Sequence, residues 1–397
     1  MTKLLFLIIG LVLAGLTLPL ITELFLVTVA GLLPRRRRQS DAASLPDFPL
    51  AIVMPSHNEE IHVGRAVSSV VASAAGLRNI RIYTVAHNCS DRTAEEAAKA
   101  GAEVLVYNDP EARGKGYALN HGFAHALANG AEAVMVIDAD SIISANLVGL
   151  VQRRLAAGAD AVQCRYEMES ANDKANGRLA ALALRGFNVI RPRGRQQLGL
   201  SCGILGNGFA LTKRLLDRVP YDAFSVVEDL EYHIHLVMAG SRVQYIEEAH
   251  VLASLPASAK GETVQRSRWE GGRFYAARIW FVPLLKQVLR GRLRLIEPMC
   301  DVAGLPMAFG VFALLLALLI PVPAIRIYAA VSLAVVTLHV LAAAAAGPDF
   351  LGTLRLLAMA PFYILWKLRL IPSILRGSKG KADWVRTDRD SNFRSIS

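Results

Sequence analysis

Cysteine is scarce: Cys89, Cys164, Cys202 and Cys300 are the only four in 397 residues, with no CxxC and no framework spacing. That excludes a disulfide-stapled secreted domain and a cysteine-built zinc site, and it suits a reducing compartment. His62, His121, His125, His233, His235, His250 and His339 show no metal-ligand spacing either. No internal repeat or low-complexity tract is present, so repeat architectures are excluded. Charged residues are also few, 19% of the chain against 53% hydrophobic. With a mean hydropathy of +0.35 the composition is too apolar for an ordinary soluble enzyme.

What is present is apolar sequence concentrated at the two ends. Leu4 to Leu33 is interrupted only by short polar or helix-breaking positions, among them Thr17, Pro19, Thr22 and Glu23. It exceeds the roughly 20 residues that span a bilayer and lacks a small-residue cleavage site, so it reads as a retained anchor. Arg35 to Arg38 follow at once, which by the positive-inside rule puts the N-terminus outside and the middle of the chain in the cytoplasm. The net charge of +11 is thereby assigned to membrane lipids as partner and not to nucleic acid. Glu23, a carboxylate inside an apolar run, is either functional or lies at headgroup depth.

Toward the C-terminus, Phe274 to Ile296 mixes apolar residues with Arg278, Lys286, Arg290, Arg292 and Arg294, as in an interfacial amphipathic helix. Val302 to Ile320 and Ala324 to Ala346 are long enough to span, joined by Pro321-Val322-Pro323. Leu351 to Leu375 carries Arg355, Lys367 and Arg369, and a basic tail follows it. An interfacial or re-entrant helix with a cytoplasmic tail is expected there, a third C-terminal span being the alternative. The expected division is an anchor with basic flank (1–38), a cytoplasmic α/β domain (39–273), an interfacial helix (274–299), a transmembrane hairpin (300–347) and a final membrane helix with tail (348–397).

Between Asp47 and Asp140 strand and helix patterns alternate. Strands are expected at Pro49–Met54, stopped by Pro55, and at Ile80–Val85, Glu103–Tyr107 and Ala133–Ile137. Helices are expected at Ile61–Ala75, Thr93–Ala100 and Tyr117–Asn129. That order implies a parallel sheet with right-handed crossovers, whose ligands bind at the carboxyl ends of the strands. Polar clusters fall at those ends: Ser56 to Glu60, His87 to Arg92, Asp109 to Gly116 and Asp138 to Ser141. Asp138 and Asp140, at the end of a buried strand, are suited to a hard divalent cation such as Mg²⁺ or Mn²⁺ that also holds substrate phosphates. Beyond Ser141 the pattern is mixed, with helical stretches near Leu147–Ala157, Lys174–Asn188 and Leu211–Leu216.

Taken in order, Pro55-Ser56-His57-Asn58-Glu59-Glu60, Arg113-Gly114-Lys115-Gly116, Asp138-Ala139-Asp140, Val227-Glu228-Asp229 and Gln265-Arg266-Ser267-Arg268-Trp269 resemble the motifs of the membrane-embedded synthases of glycosyltransferase family 2, which include cellulose, chitin-oligomer, hyaluronan and poly-N-acetylglucosamine synthases. Pro55-Ser56-His57-Asn58-Glu59-Glu60 resembles the first-strand signature, with Pro55, Asn58 and Glu59 under the nucleotide. His87-Asn88-Cys89-Ser90-Asp91 stands where relatives keep an acidic cluster after the second strand. Asp91 keeps an acid or caps the next helix, while His87 takes the uracil-contacting position and leaves the base open. Arg113-Gly114-Lys115-Gly116 is similar to the basic glycine loop that meets the diphosphate, with Lys115 as the charge. By the same resemblance Asp138 and Asp140 take the metal-diphosphate role, and Gly206-Asn207-Gly208-Phe209 the acceptor-side glycine motif, with Asn207 and Gly208 as contacts.

Val227-Glu228-Asp229 corresponds to the Thr-Glu-Asp-type tripeptide, with Asp229 the general base and Glu228 beside the acceptor. Gln265-Arg266-Ser267-Arg268-Trp269 matches Gln-x-x-Arg-Trp. Arg268 is implied in diphosphate binding, and Gln265 and Trp269 in acceptor binding, unless the string is a basic turn before the interfacial helix. The resemblance implies a GT-A fold and an inverting transfer from a nucleotide-sugar, UDP-linked by expectation, to a growing β-linked saccharide at the inner (plasma) membrane. A single addition to a lipid acceptor is the alternative, and a non-catalytic nucleotide-sugar-binding scaffold the second. A homo-oligomer or an export subunit are the further partners it implies.

Overall fold

A computed structural model describes residues 2–34, 47–170, 174–256 and 258–377. The tetra-arginine run at 35–38 and the basic tail beyond 377 lie outside the described residues. The described chain divides into two compact units. One holds 47–170 and 201–265; the other holds 2–34, 174–200 and 266–377.

The first unit is a mixed α/β layer of the GT-A type. Its eight strands are β1 (Leu50–Ser56), β2 (Ile80–His87), β3 (Glu103–Tyr107), β4 (Ala133–Val136), β5 (Ile142–Ile143), β6 (Ala161–Glu169), β7 (Phe209–Thr212) and β8 (Val243–Ser254). They lie in the order β3-β2-β1-β4-β7-β6-β8-β5. β3, β2, β1 and β4 pair in parallel, as the strand–helix alternation dictates, and β7 joins β4 antiparallel. β1 and β4 are buried along their whole length, which is why they read as unbroken apolar runs. The expected stop at Pro55 is corrected: β1 runs through it, with Pro55 opposite Val85. β4 pairs with β1 only as far as Val53, so Pro55 has a strand on one side alone and its missing N–H costs no ladder bond there. The stretch Leu211–Leu216 is also corrected, being the end of β7 followed by a helix at Lys213–Arg218.

The second unit is helical. Thr2–Leu32 and Pro323–Ala345 are each long and apolar enough to cross a membrane, and so is the joined stretch Phe350–Arg369. The span expected at Val302–Ile320 is broken instead. Helices Leu293–Ala303 and Met307–Leu319 meet at 82°, across Gly304-Leu305-Pro306. Pro306 disfavours a helical residue before it, so the chain turns there. The helix expected to start at Phe274 begins much earlier, running from Ala259 to Leu289 and carrying the Gln265–Trp269 string within it.

Polar groups tie the N-terminal helix to its neighbours. Glu23 is buried and accepts from Arg191 Nε at 3.1 Å and Arg195 Nη2 at 2.6 Å. Arg195 also donates to Asp301 Oδ2 at 2.9 Å and pairs with Glu297. Thr28 Oγ1 meets His339 Nδ1 at 2.8 Å, and Lys367 pairs with Glu270. A Cβ on Gly194 would fall 2.0 Å from the Val27 carbonyl oxygen, so only glycine lets helix Arg191–Gln197 lie this close to Thr2–Leu32. Glu23 is therefore one corner of a buried ionic cluster that fastens helices together.

Candidate active site

β4 ends at Val136, and the chain turns through Asp138 to Ser141 at the carboxyl edge of the sheet. The carboxylates of Asp138 and Asp140 are half-buried. Asn207 braces this turn: its Oδ1 accepts from the Asp138 amide at 3.1 Å and its Nδ2 donates to Ser141 Oγ at 2.8 Å. Ser141 Oγ in turn donates to Asp140 Oδ1 at 3.2 Å. Asn207 is 1% exposed, and its side chain is taken up in bracing the turn that carries the two aspartates.

Lys115 opens the helix Lys115–Ala128 and reaches across the cleft. Its ammonium pairs with Asp138 Oδ1 and donates to the Gly206 carbonyl at 2.6 Å. Gly206 has a φ of +76°, and a Cβ built on it would stand 3.2 Å from Asp229 Oδ2. Lys115, Asp138, Gly206 and Asp229 thus share one cleft. Gly116 serves packing: its Cβ would lie 2.4 Å from the Ala223 carbonyl, in the segment that leads into Asp229.

Asp229 sits in the first turn of helix Glu228–Met238, with Glu228 and Glu231, where the helix dipole favours negative charge. Burial raises its carboxyl above the usual range, while the Leu230 amide at 2.8 Å and the Lys115 charge oppose the rise. A carboxylate made more basic in this way is fitted to take a hydroxyl proton.

The loops after β1 and β2 are knitted to each other. Asn58 and Asn88 adopt left-handed φ values of 57° and 51°. The Asn58 side chain accepts from the Ser90 amide at 2.8 Å, and Asn88 exchanges two bonds with the Asp109 backbone. The Glu59 amide donates to Thr93 Oγ1 at 2.8 Å. Asp91 accepts from the Glu60 amide at 3.1 Å and the Thr93 amide at 3.0 Å, tying the loop after β1 to the start of helix Thr93–Lys99, whose N-cap position is Arg92. His87 is 0% exposed and its ring stacks on Tyr107, whose other face stacks on His121 at 4.5 Å. Burial lowers its pKa, against a hydrogen bond with the Ala112 backbone that opposes the fall, so the ring is neutral.

Gln163, in β6, was not anticipated. It is fully buried, accepts from the Leu205 amide at 2.9 Å and donates to the Asn207 carbonyl at 2.7 Å, fixing the glycine loop. A lone glutamine inside the apolar run of β6 was its only signal. On the helix Ala259–Leu289, Gln265, Arg268 and Trp269 stand at i, i+3 and i+4 and so share a face. The Arg266 guanidinium lies 5.6 Å from the Trp269 ring centre, and the Gln265 amide is 1% exposed with no hydrogen-bond partner among the described residues.

The fit of a cation can be judged from the donors. The Asp138 and Asp140 carboxylates form an all-oxygen set that matches Mg²⁺ or Mn²⁺, and the Lys115 ammonium shows that positive charge is favoured beside Asp138.

A model of glycosyltransferase-like family 2 matches residues 46–272, more than half of the chain. The chain belongs to glycosyltransferase family 2. This family 2 chain is a glycosyltransferase by its domain, and it carries apolar helices at its N-terminus and in its C-terminal region. No curated protein matches it. Among solved structures, it is similar over 95% of its length to 97% of the mannosyltransferase PcManGT from Pyrobaculum calidifontis, solved with GDP-Man and Mn²⁺, at 16% identity and a TM-score of 0.56. It also matches mannosyl-3-phosphoglycerate synthase from Rubrobacter xylanophilus, with 21% identity, a TM-score of 0.39, and 56% of this chain covering 71% of that one.

Proposed function

We propose that the protein is an inverting, metal-assisted glycosyltransferase that moves a sugar from a nucleotide-sugar, UDP-linked by preference, to a growing β-linked saccharide at the membrane. The observation that carries this reading is the shared cleft of Lys115, Asp138 and Asp229, reached from the β4 edge. Asp229 accepts the proton of the acceptor hydroxyl, whose oxygen attacks the anomeric carbon on the face opposite the diphosphate. An α-linked donor then gives a β-linked product. Lys115 supplies fixed positive charge beside the diphosphate, and Gly206 offers backbone to the acceptor; the expected contact at Gly208 is corrected, since its amide donates to the Val136 carbonyl and its carbonyl accepts from the Cys164 amide. Asp138 and Asp140 would hold the Mg²⁺ or Mn²⁺, which neutralises charge on the leaving diphosphate when bound. Arg268 and Trp269 are assigned to diphosphate and acceptor by the family string.

Reaction on the cytoplasmic side of the inner membrane follows from the basic run after the first anchor. A single addition to a lipid hydroxyl is the second reading. It is favoured by the three helices long enough to cross among the described residues, or four if the bent pair is one span, which are few for a polymer channel. A scaffold without catalysis accords poorly with an Asp229 carboxyl tuned upward. Radiolabelled UDP- and GDP-sugars offered to purified protein in lipid, followed by product sizing, test the reading. A ladder of oligomers is expected, one glycolipid supports the second reading, and no transfer from any donor contradicts both.

A further inference from the structure

The helical unit contains a groove that sugar transfer leaves unused. Its volume is about 390 Å³. Gly15, Leu16 and Pro19 of helix Thr2–Leu32 form one wall, Arg273 and Phe281 stand on another, and residues 302–306 close it. Gly15 and Leu16 are exposed on a helix long and apolar enough to cross a bilayer. Apart from Arg273 the lining carries no charged or hydroxyl side chain, so its walls suit hydrocarbon.

Arg273 is the exception that defines the ligand. Its Nη2 donates to the backbone carbonyls of Asp301 at 3.2 Å and Gly304 at 3.4 Å, and its guanidinium lies 5.5 Å from the Phe187 ring centre. Nε and Nη1 meet no acceptor among the described residues, and no carboxylate there forms an ion pair with Arg273. The acids whose charge reaches Arg273 are paired elsewhere: Asp301 and Glu23 with Arg191 and Arg195, and Glu270 with Lys367. Burial and the Arg191 charge keep the Arg273 guanidinium below its ordinary value, which an anion would reverse. From Gly271 to Ile296 the sequence has six basic residues and no acidic one, and Arg290, Arg292 and Arg294 are exposed. Such a segment attracts anionic headgroups.

We infer that the groove is a site for one anionic phospholipid of the surrounding bilayer, its hydrocarbon chain along the apolar walls and its phosphate on the N–H donors of Arg273. The inference rests on the membrane placement proposed above, and carbonate extraction of membranes checks that placement first. A protein released by carbonate fails the placement; one that stays embedded leaves the lipid question to the next measurement.

Full-length protein is taken from nanodiscs of equal phosphatidylglycerol and phosphatidylcholine into mild detergent, and retained lipid is read by native mass spectrometry. One phosphatidylglycerol per chain is expected, favoured over phosphatidylcholine about five-fold. Excess inorganic phosphate should leave it bound, because the chain and not the phosphate alone supplies the hold. Arg273→Gln should remove the preference, whereas Arg278→Gln, at an exposed position on the same helix, should keep it. Gly15→Phe should lower retention of both lipids, since a Cβ there meets nothing within 4 Å and the ring can fill the groove without disturbing the fold. Equal retention of the two lipids by the wild type overturns the inference, as does an undiminished preference in Arg273→Gln. A dimer mass in place of the lipid, or a bound lipid that gains one sugar when nucleotide-sugar is added, overturns it too.

Discussion

Asp229 is pulled two ways: burial disfavours its charge, and Lys115 with the Leu230 amide favours it. Burial wins, so the acid limb of the rate profile should lie above that of an ordinary carboxylate near 3.8, with transfer falling as pH drops through the raised value. The same shift has a stability sign. Below the unfolded value both folded and unfolded chains hold the proton, and the wild type has its full stability. As pH rises from there through the folded value, the unfolded chain ionises first and stability is lost. Asp229→Asn should therefore abolish transfer, keep donor binding, and gain thermal stability over wild type as pH rises across that window. Melting curves at several pH values, beside nucleotide titrations, check this.

Asn207→Ala should lower transfer through misplacement of Asp138 and Asp140, with metal affinity weakened about 10-fold or more, read by metal titration of activity. Asp138 stands out in the sequence as a polar residue ending an apolar strand, whereas Lys115 and Asp229 are singled out only by the family motifs that their segments resemble. Asn207, Gln163 and the His87–Tyr107–His121 stack could not be assigned their roles in that way. Their partners lie far along the chain, and a buried strut and a ligand contact use the same residue types.

Among the elements, close approach decides more than propensity. Gly116→Ala would push its methyl into the Ala223 carbonyl and should cost about 1–3 kcal/mol, with a fall in transfer as the segment before Asp229 shifts. Denaturant titration of purified protein separates the two effects. Glu23→Ala should cost about 1–3 kcal/mol, because Arg191 and Arg195 would lose one of the two buried carboxylates they share and keep the other, Asp301. Protease sensitivity of detergent-solubilised protein reads that loss, and unchanged resistance would remove Glu23 from the tie. The parallel half of the sheet was legible from its strand–helix rhythm. β6, β7 and β8 were not, since β7 lies antiparallel between β4 and β6, and the parallel partners β6 and β8 are far apart in the sequence. The bend at Gly304-Leu305-Pro306 was hidden inside a continuous apolar run.

For the whole molecule, sequence order and spatial grouping part company. Residues 174–200 fall between β6 and β7 in the chain yet belong with the apolar helices, and their Ala- and Leu-rich pattern resembles any amphipathic helix. The family match and the apolar ends were both legible, one from ordered polar motifs and the other from length and hydropathy. If the basic run sets orientation, a cysteine introduced at residue 2 should label from outside intact cells, and one near residue 380 only after permeabilisation. The most direct test of the account is the anomeric configuration of the product, read by NMR after transfer from an α-linked donor. A β-linked sugar that disappears with Asp229→Asn is predicted. An α-linked product, or wild-type turnover in that variant, would contradict it.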